Sequence, residues 1–296
     1  MSRGVVWMIL VAMIVASLGV SGCRRSEAKP NSDRRFTGPV EPLDLVVARF
    51  NQNVRPIQTL WAAGNYEANL VDEQGKKTFV NGDASVLFAA PGKFRFFMNK
   101  IGNRLFDAGT DGEKFWLVGY EGVDQAWAGS IDALNRPGAP VLPVRPDLLA
   151  QVLGVSLMPT DLLGSVVVTQ RFNPDVDVYM LTFAQIDEFR QDRYRVTREV
   201  WLDRKTLLPT FVFLFDSDGQ VALRARLGDH QPVQLGQASV RIARRFDLLF
   251  PQSKSTLTLK LSDMKPKNRG VPNATSFAFS LERANVSKVT HLDPKP

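Results

Sequence analysis

The sequence predicts a mainly β protein with capping helices (α+β), in which short helices cover a strongly curved antiparallel half-barrel sheet. Apolar and polar residues alternate with a period of two in most segments after residue 82, as expected for strands with one buried face. Tight-turn residues separate these segments. One interruption, over residues 129–164, loses the alternation but stays apolar. Strands this numerous, joined by tight turns, indicate one large antiparallel sheet, and the interruption indicates inserted helices.

The first element of the folded part is a predicted helix over residues 42–55. Its apolar residues recur at helical spacing: Leu43, Val46, Val47 and Phe50. Pro42 suits a first helical turn, and Pro56 ends the pattern.

A hairpin of half-buried strands follows, with Pro91-Gly92 as its turn. Two apolar sets alternate with their neighbours, Ala84, Val86 and Phe88 on the first strand and Phe94, Phe96 and Met98 on the second.

The second half of the chain repeats this alternation. The segments are DVDVYMLTFAQ, YRVTREVWLD, TFVFLF and QVALRARL, then VRIARRFDLLF, STLTLKLS and SFAFSL near the end. Between the two halves, RPDLLAQVLGV predicts a short apolar helix over residues 146–155. We therefore predict one domain over residues 42–290, with a helical insert near 130–164.

The N-terminus has the layout of a secretory signal: one basic residue, then an uncharged apolar run from Gly4 to Val20, then small residues. Val20-Ser21-Gly22-Cys23 resembles the lipobox of bacterial lipoproteins, which implies cleavage after residue 22 and lipidation of Cys23. An uncleaved signal anchor is the alternative. Residues 23–41 are polar and proline-containing, which predicts a flexible tether. Arg24 stands where Asp commonly signals inner-membrane retention, so the resemblance implies the outer membrane.

Net charge and cysteine content limit the kinds of binding partner that we expect. The formal net charge is +7, but no compact basic helix or aromatic RNA-binding motif accompanies it, so we expect no nucleic acid. Cys23 is the single cysteine, which excludes an internal disulfide. We expect a monomer attached to a membrane through lipidated Cys23.

The sequence offers no convincing catalytic or metal site. His230 and His291 are far apart, and no Cys/His spacing suits zinc. The segment from Asp216 to Gly219 resembles the start of a calcium-binding loop. The twelfth residue from Asp216 is Leu227, however, where such a loop needs a glutamate. We therefore expect no metal, no cofactor and no enzymatic activity.

The order of motifs over residues 42–225 resembles the LolA/LolB-like lipoprotein carriers. The matching pieces are the helix from Leu43 to Phe50, Ile57 to Leu60, Gly82 to Phe88, Pro91 to Arg95, Asp111-Gly112 with Trp116, Val200 to Asp203 with Leu208-Pro209, and the turn Asp218-Gly219. The resemblance implies a half-barrel capped by helices that binds acyl chains of lipoproteins in an apolar cavity. LolB-type members are themselves outer-membrane lipoproteins, which agrees with a lipidated Cys23.

An acyl chain needs a concave apolar surface and few polar groups. The candidate lining residues are Phe88, Phe94, Phe96, Met98, Phe211, Phe213 and Phe215, and a packed core is their alternative role. Arg198 shares its predicted strand face with Val196, Val200 and Leu202. A charge there is costly unless partnered, so Arg198 either holds a glycerol or phosphate group at the cavity mouth, or reaches solvent at the sheet edge, or pairs with an acid.

The resulting expectation is a periplasm-facing, lipid-anchored envelope protein that binds lipid or lipoprotein acyl chains for their transfer. The alternative is a non-transporting binding, assembly or sensor lipoprotein with the same fold.

Overall fold

The computed structural model describes residues 37–72, 74–120, 123–134, 142, 145–187, 190–264 and 271–293. The predicted signal peptide, Cys23 and the predicted tether up to residue 36 lie outside these residues. The described residues from Gly38 onward belong to one compact unit. Within the described residues, no helix is both long enough and apolar enough to cross a membrane.

One sheet of fourteen strands dominates the described part of the chain. The strands are β1 (Thr59–Val71), β2 (Lys77–Ala89), β3 (Lys93–Lys100), β4 (Asn103–Thr110), β5 (Lys114–Gly119), β6 (Gln125–Ser130), β7 (Val166–Asn173), β8 (Val178–Asp187), β9 (Arg190–Asp203), β10 (Pro209–Phe215), β11 (Val221–Leu235), β12 (Ala238–Phe250), β13 (Ser255–Asp263) and β14 (Lys288–His291).

The spatial order of the strands is β14-β6-β5-β4-β3-β2-β1-β13-β12-β11-β10-β9-β8-β7. Each half is a meander of antiparallel hairpins, and β1 joins the halves by pairing with β13, for example Tyr66 with Leu259. β14 pairs with β6 in parallel. The sheet is open, with β14 and β7 at its edges. The prediction of one large antiparallel sheet is confirmed.

Three α-helices accompany the sheet in the described part of the chain: α1 (Leu43–Val54), α2 (Ile131–Leu134) and α3 (Pro146–Val152). The seven residues of α3 contact β3, β4 and β5 in one half and β10 in the other. A helix of this length spans about 10 Å, whereas β3 and β10 are six strand positions apart, or about 29 Å across a flat sheet. The sheet must therefore curve around α3, as the sequence predicted.

Helix α1 forms as its periodicity predicts. Val46, Val47 and Phe50 are buried. Asn51 is buried with them, and its side chain donates to the backbone oxygen of Met158 (3.0 Å) and accepts from the Met158 backbone nitrogen (2.9 Å). These two bonds attach the segment after α3 to α1.

Helix α3 is shorter than the predicted helix over residues 146–155, and Gly154 accounts for its early end. That glycine has a φ of +67° and lies close to Pro209: an added Cβ would come within 2.8 Å of the Pro209 ring. A left-handed residue at this point terminates the helix.

The strand predicted for SFAFSL is wrong. The segment forms two short 3₁₀ helices, Ala274–Phe277 and Leu281–Arg283. Asn273 caps the first one: its side chain accepts from the Ser276 backbone, and the Ser276 hydroxyl accepts from the Asn273 backbone. Phe279 then stacks on Trp116, with ring centroids 5.1 Å apart. Phe279 therefore packs onto the outer face of the sheet instead of belonging to a strand that extends it.

Candidate functional site

A continuous row of apolar side chains crosses the concave face of the sheet. Each member pairs with the next on the neighbouring strand, through eight strands: Leu181, Val200, Val212, Ala225, Leu248, Leu257, Ala68 and Val80. All eight are buried. We call this row the apolar band.

The two ends of the concave face are covered to different degrees. At one end, α1 lies over the sheet, and Asn53 exchanges hydrogen bonds with the backbone of Arg241 near the start of β12. The other end carries the turns β1–β2, β3–β4, β10–β11 and β12–β13, and we call it the mouth. Four inner-face residues toward the mouth keep 7–8% exposure, namely Val80, Met98, Leu248 and Leu257. Three inner-face residues at the α1 end keep 1–2%, namely Leu60, Phe94 and Phe115.

Four of the predicted lining residues lie together on the inner face. Phe88 pairs with Phe94 across β2 and β3, and Phe96 and Met98 continue the same face of β3. The ring of Phe96 tilts against that of Phe106, with centroids 5.9 Å apart. The structure thus gathers these four, and their contact with lipid stays a prediction.

Phe211, Phe213 and Phe215 are on the other face, so the sequence reading misplaced them. On β10 the buried inward residues are Val212 and Leu214, and the three phenylalanines are half-buried on the outer face. The physical reason is that both faces of this strand are apolar. A period of two then separates the residues into two sets but does not say which set points inward.

These outward aromatic rings have partners of their own. The ring centroid of Trp201 lies 5.3 Å from that of Phe211 and 5.5 Å from that of Phe213. The indole N–H of Trp201 donates to the carboxylate of Glu199, with 2.6 Å between nitrogen and oxygen. The guanidinium of Arg224 lies 5.3 Å from the Phe211 ring centroid. The aromatic residues of β10 thus form a cation–π cluster on the outer face.

Arg198 does lie on the inner face. Its cross-strand neighbours are Phe183 on β8 and Leu214 on β10, and both are buried. The guanidinium carbon stands 3.9 Å from the centroid of the Phe183 ring. One guanidinium N–H donates to the side-chain oxygen of Gln151, on α3.

The charge of Arg198 is not neutralised by a carboxylate within the described residues. The alternative of an acid partner is therefore not met there. Burial lowers the pKa of Arg198 to about 10, so the side chain stays protonated at neutral pH. The residue also keeps some solvent exposure. The site thus combines apolar surface with one cation, on a residue that is partly exposed.

Sequence reasoning missed Gln151 and Phe183 as partners of Arg198. A signal for Gln151 was available, because it is the one polar side chain between Leu148 and Val155 in an otherwise apolar stretch. Phe183 carries no comparable signal, since a phenylalanine on a buried strand is ordinary core.

The described residues contain no group of three His, Cys, Asp or Glu side chains placed to hold a metal ion. The expectation that the protein is not an enzyme stays a prediction.

Comparison with known proteins bears on the fold. No protein-family model matches the sequence, and no curated protein matches it. A LolA superfamily protein from Nitrosomonas europaea matches in structure with a TM-score of 0.50 and 13% identity, over 81% of this chain and 99% of that chain. This chain has a LolA-like fold.

Two further structures are similar at lower scores. A domain named for outer membrane lipoprotein sorting, from Vibrio parahaemolyticus, has a TM-score of 0.49 and 12% identity over 77% of this chain and 93% of that chain. A DUF1329 family protein from Desulfovibrio piger has a TM-score of 0.48 and 10% identity over 78% of this chain and 96% of that chain. The LolA-like fold predicted from the order of motifs is confirmed by the first match.

Proposed function

We propose that the protein binds acyl chains of lipids or lipoproteins on the concave face of its sheet and transfers them within the bacterial cell envelope. The observation that carries this proposal is the apolar band, which crosses eight strands of an open, curved sheet. Acyl chains have no hydrogen-bonding groups, so their binding requires apolar area and concavity. The band supplies both, and α3 packs against β10, one of its eight strands.

Acyl chains would reach the band beneath α3. This helix has seven residues, too few to be stable alone, so its position depends on packing against the sheet. Phe96 and Met98 lie on β3, one of the strands that α3 contacts. An entering chain would replace the apolar surface of α3 against these strands, which exchanges one apolar contact for another.

The attachment of the described chain favours access from the mouth. The backbone oxygen of Gly38 accepts from Arg204, just after β9 ends, and the Glu41 backbone N–H donates to the Tyr179 hydroxyl (2.8 Å). The described chain therefore starts at the end opposite the mouth.

Binding is tested with an uncharged acyl probe, the methyl ester of the fluorescent fatty acid cis-parinaric acid. Full-length protein in a nonionic maltoside detergent should bind it, with protein-free detergent as the blank. Phe96→Asp should abolish binding, because a desolvated carboxylate beside an acyl chain has no partner. The matched control is Phe79→Asp, the same chemical change at a residue 60% exposed on the outer face. Wild-type protein that binds no probe would overturn the proposal.

Transfer needs a separate measurement. Protein reconstituted into acceptor vesicles should accelerate the arrival of a fluorescent diacyl lipid from donor vesicles, and Phe96→Asp should not. Probe binding without any acceleration would refute the transfer role and leave a binding protein.

A further inference from the structure

We infer that Arg198 binds the headgroup of the cargo, so that the ligand is an amphiphile with acyl chains and an anionic group, phosphate or carboxylate. This inference rests on the proposed function, because it concerns the headgroup of the same cargo. It adds a chemical class that apolar surface alone does not specify.

Arg198 has the position that a headgroup contact requires. Val200 and Val212 belong to the apolar band, and Arg198 lies two residues before Val200 on β9, on the same face and toward the mouth. Its cross-strand partner Leu214 is likewise next to the mouth end of β10. An acyl chain on the band would therefore bring its polar end to the level of Arg198.

The guanidinium of Arg198 also has N–H donors that meet no acceptor within the described residues. Arginine carries five N–H groups in a planar fork and accepts no hydrogen bond. Within the described residues, Gln151 supplies the one acceptor of this side chain, and Phe183 covers one face of the plane. The remaining edge suits two parallel hydrogen bonds to a phosphate or carboxylate.

Packing alone gives no reason for a cation at this position. A charge among apolar side chains destabilises the fold unless it is paired, and an apolar residue would fill the same space without that cost. Several other partly buried guanidinium groups of the described chain meet acids: Arg95 and Arg104 both contact Asp107, and Arg204 contacts Asp177. An anionic ligand would give Arg198 the partner that those arginines already have.

The test compares two probes with the same acyl chain, cis-parinaric acid and its methyl ester, at a pH where the acid is ionised. Wild-type full-length protein in maltoside detergent should bind the acid at least about tenfold more tightly, since hydrogen bonds to charged groups are among the stronger ones in proteins. Arg198→Met should lose this preference, so that it binds acid and ester with about equal affinity. Displacement by lysophosphatidic acid against monoacylglycerol repeats the comparison for phosphate.

Two control variants test whether the preference for the acid depends on a positive charge at position 198 or on the net charge of the protein. Arg224→Met removes one positive charge from the outer face and should keep the full preference. Arg198→Lys keeps the cation in place and should retain most of it. Circular dichroism of each variant checks folding, and Arg198→Gln serves as a second neutral variant if Arg198→Met does not fold.

The outcomes distinguish this inference from the proposed function. Equal binding of acid and ester by the wild type, or a preference that survives in Arg198→Met, would overturn the role of Arg198 and leave acyl-chain binding intact. Binding of neither probe would overturn the proposed function itself.

Discussion

Replacing Asp107 by asparagine should remove the acid that holds one region of the outer face together. Its carboxylate accepts from Arg95 (2.6 and 3.0 Å), from Arg104 (2.6 Å) and from the indole N–H of Trp116 (2.9 Å). Arg95 in turn donates to the backbone oxygen of Ser276 (3.1 Å), in the C-terminal segment that covers this face. One residue thus connects β3, β4, β5 and the C-terminal segment.

The expected loss of stability in Asp107→Asn follows from the burial of this carboxylate. Asp107 is 1% exposed, and its asparagine analogue would leave two guanidinium groups without a counter-charge and turn an amide donor toward one of them. Breaking a buried ion pair by removing one partner costs about 3–5 kcal/mol. Because the side chains of Arg95 and Arg104 keep 20% and 31% exposure, water offsets part of the loss, and we expect about 2–4 kcal/mol.

Urea unfolding of the full-length protein, followed by circular dichroism, measures this loss. The control is Asp247→Asn, which removes the acid of the more exposed pair with Arg245 and should cost less than about 1 kcal/mol. Hydrogen exchange of residues 274–284 should also accelerate in Asp107→Asn, because Ser276 loses its fixed donor. An Asp107→Asn variant no less stable than Asp247→Asn would refute this account of the cluster.

Three further predictions concern the anchor, the interior and acidity. Cys23→Ser should abolish incorporation of labelled palmitate, because only the thiol accepts the diacylglycerol, and label that persists would contradict the lipobox. Phe94→Ala should lower the free energy of unfolding by about 3–5 kcal/mol, whereas Phe96→Ala, nearer the mouth, should cost less in urea titration and weaken ester binding, and the reverse order would indicate a solid core around Phe96. Burial, followed by the charge of Arg241, lowers the pKa of His230 below its usual 6.5, so the neutral form is favoured in the fold and stability should fall as pH drops below that value. Thermal unfolding between neutral and mildly acidic pH checks this, and His230→Gln should show a smaller dependence than the wild type.

Local pattern was sufficient for α1 and for the β2–β3 hairpin. In both, one set of positions is apolar and the other mostly polar, so the period of the pattern also identifies the buried face. Phe88, Phe94, Phe96 and Met98 accordingly lie inward as predicted. The apolar segment around Leu149 likewise indicated a helix, although its end depended on the contact between Gly154 and Pro209.

The same local pattern failed on β10, where both alternating sets are apolar, and in the C-terminal segment. On β10 the outward set, with Phe211 and Phe213, found Trp201 and Arg224 on neighbouring strands, and no property of TFVFLF itself could anticipate them. In the C-terminal segment, the alternation of SFAFSL was outweighed by the Asn273 cap and by the flat surface that Trp116 offers to Phe279.

The sequence alone therefore determined the strand-rich class, the turns, the first helix and the presence of a cation on an apolar strand. Tertiary structure decided that β1 pairs with β13, that α3 lies between the two halves of the sheet, and that Gln151 meets Arg198 across 47 residues. The physical reason is that periodicity is a local property, which shows only which residues share a face of a strand. Which face turns inward, and which residues it meets, depends on how much apolar area the whole sheet buries.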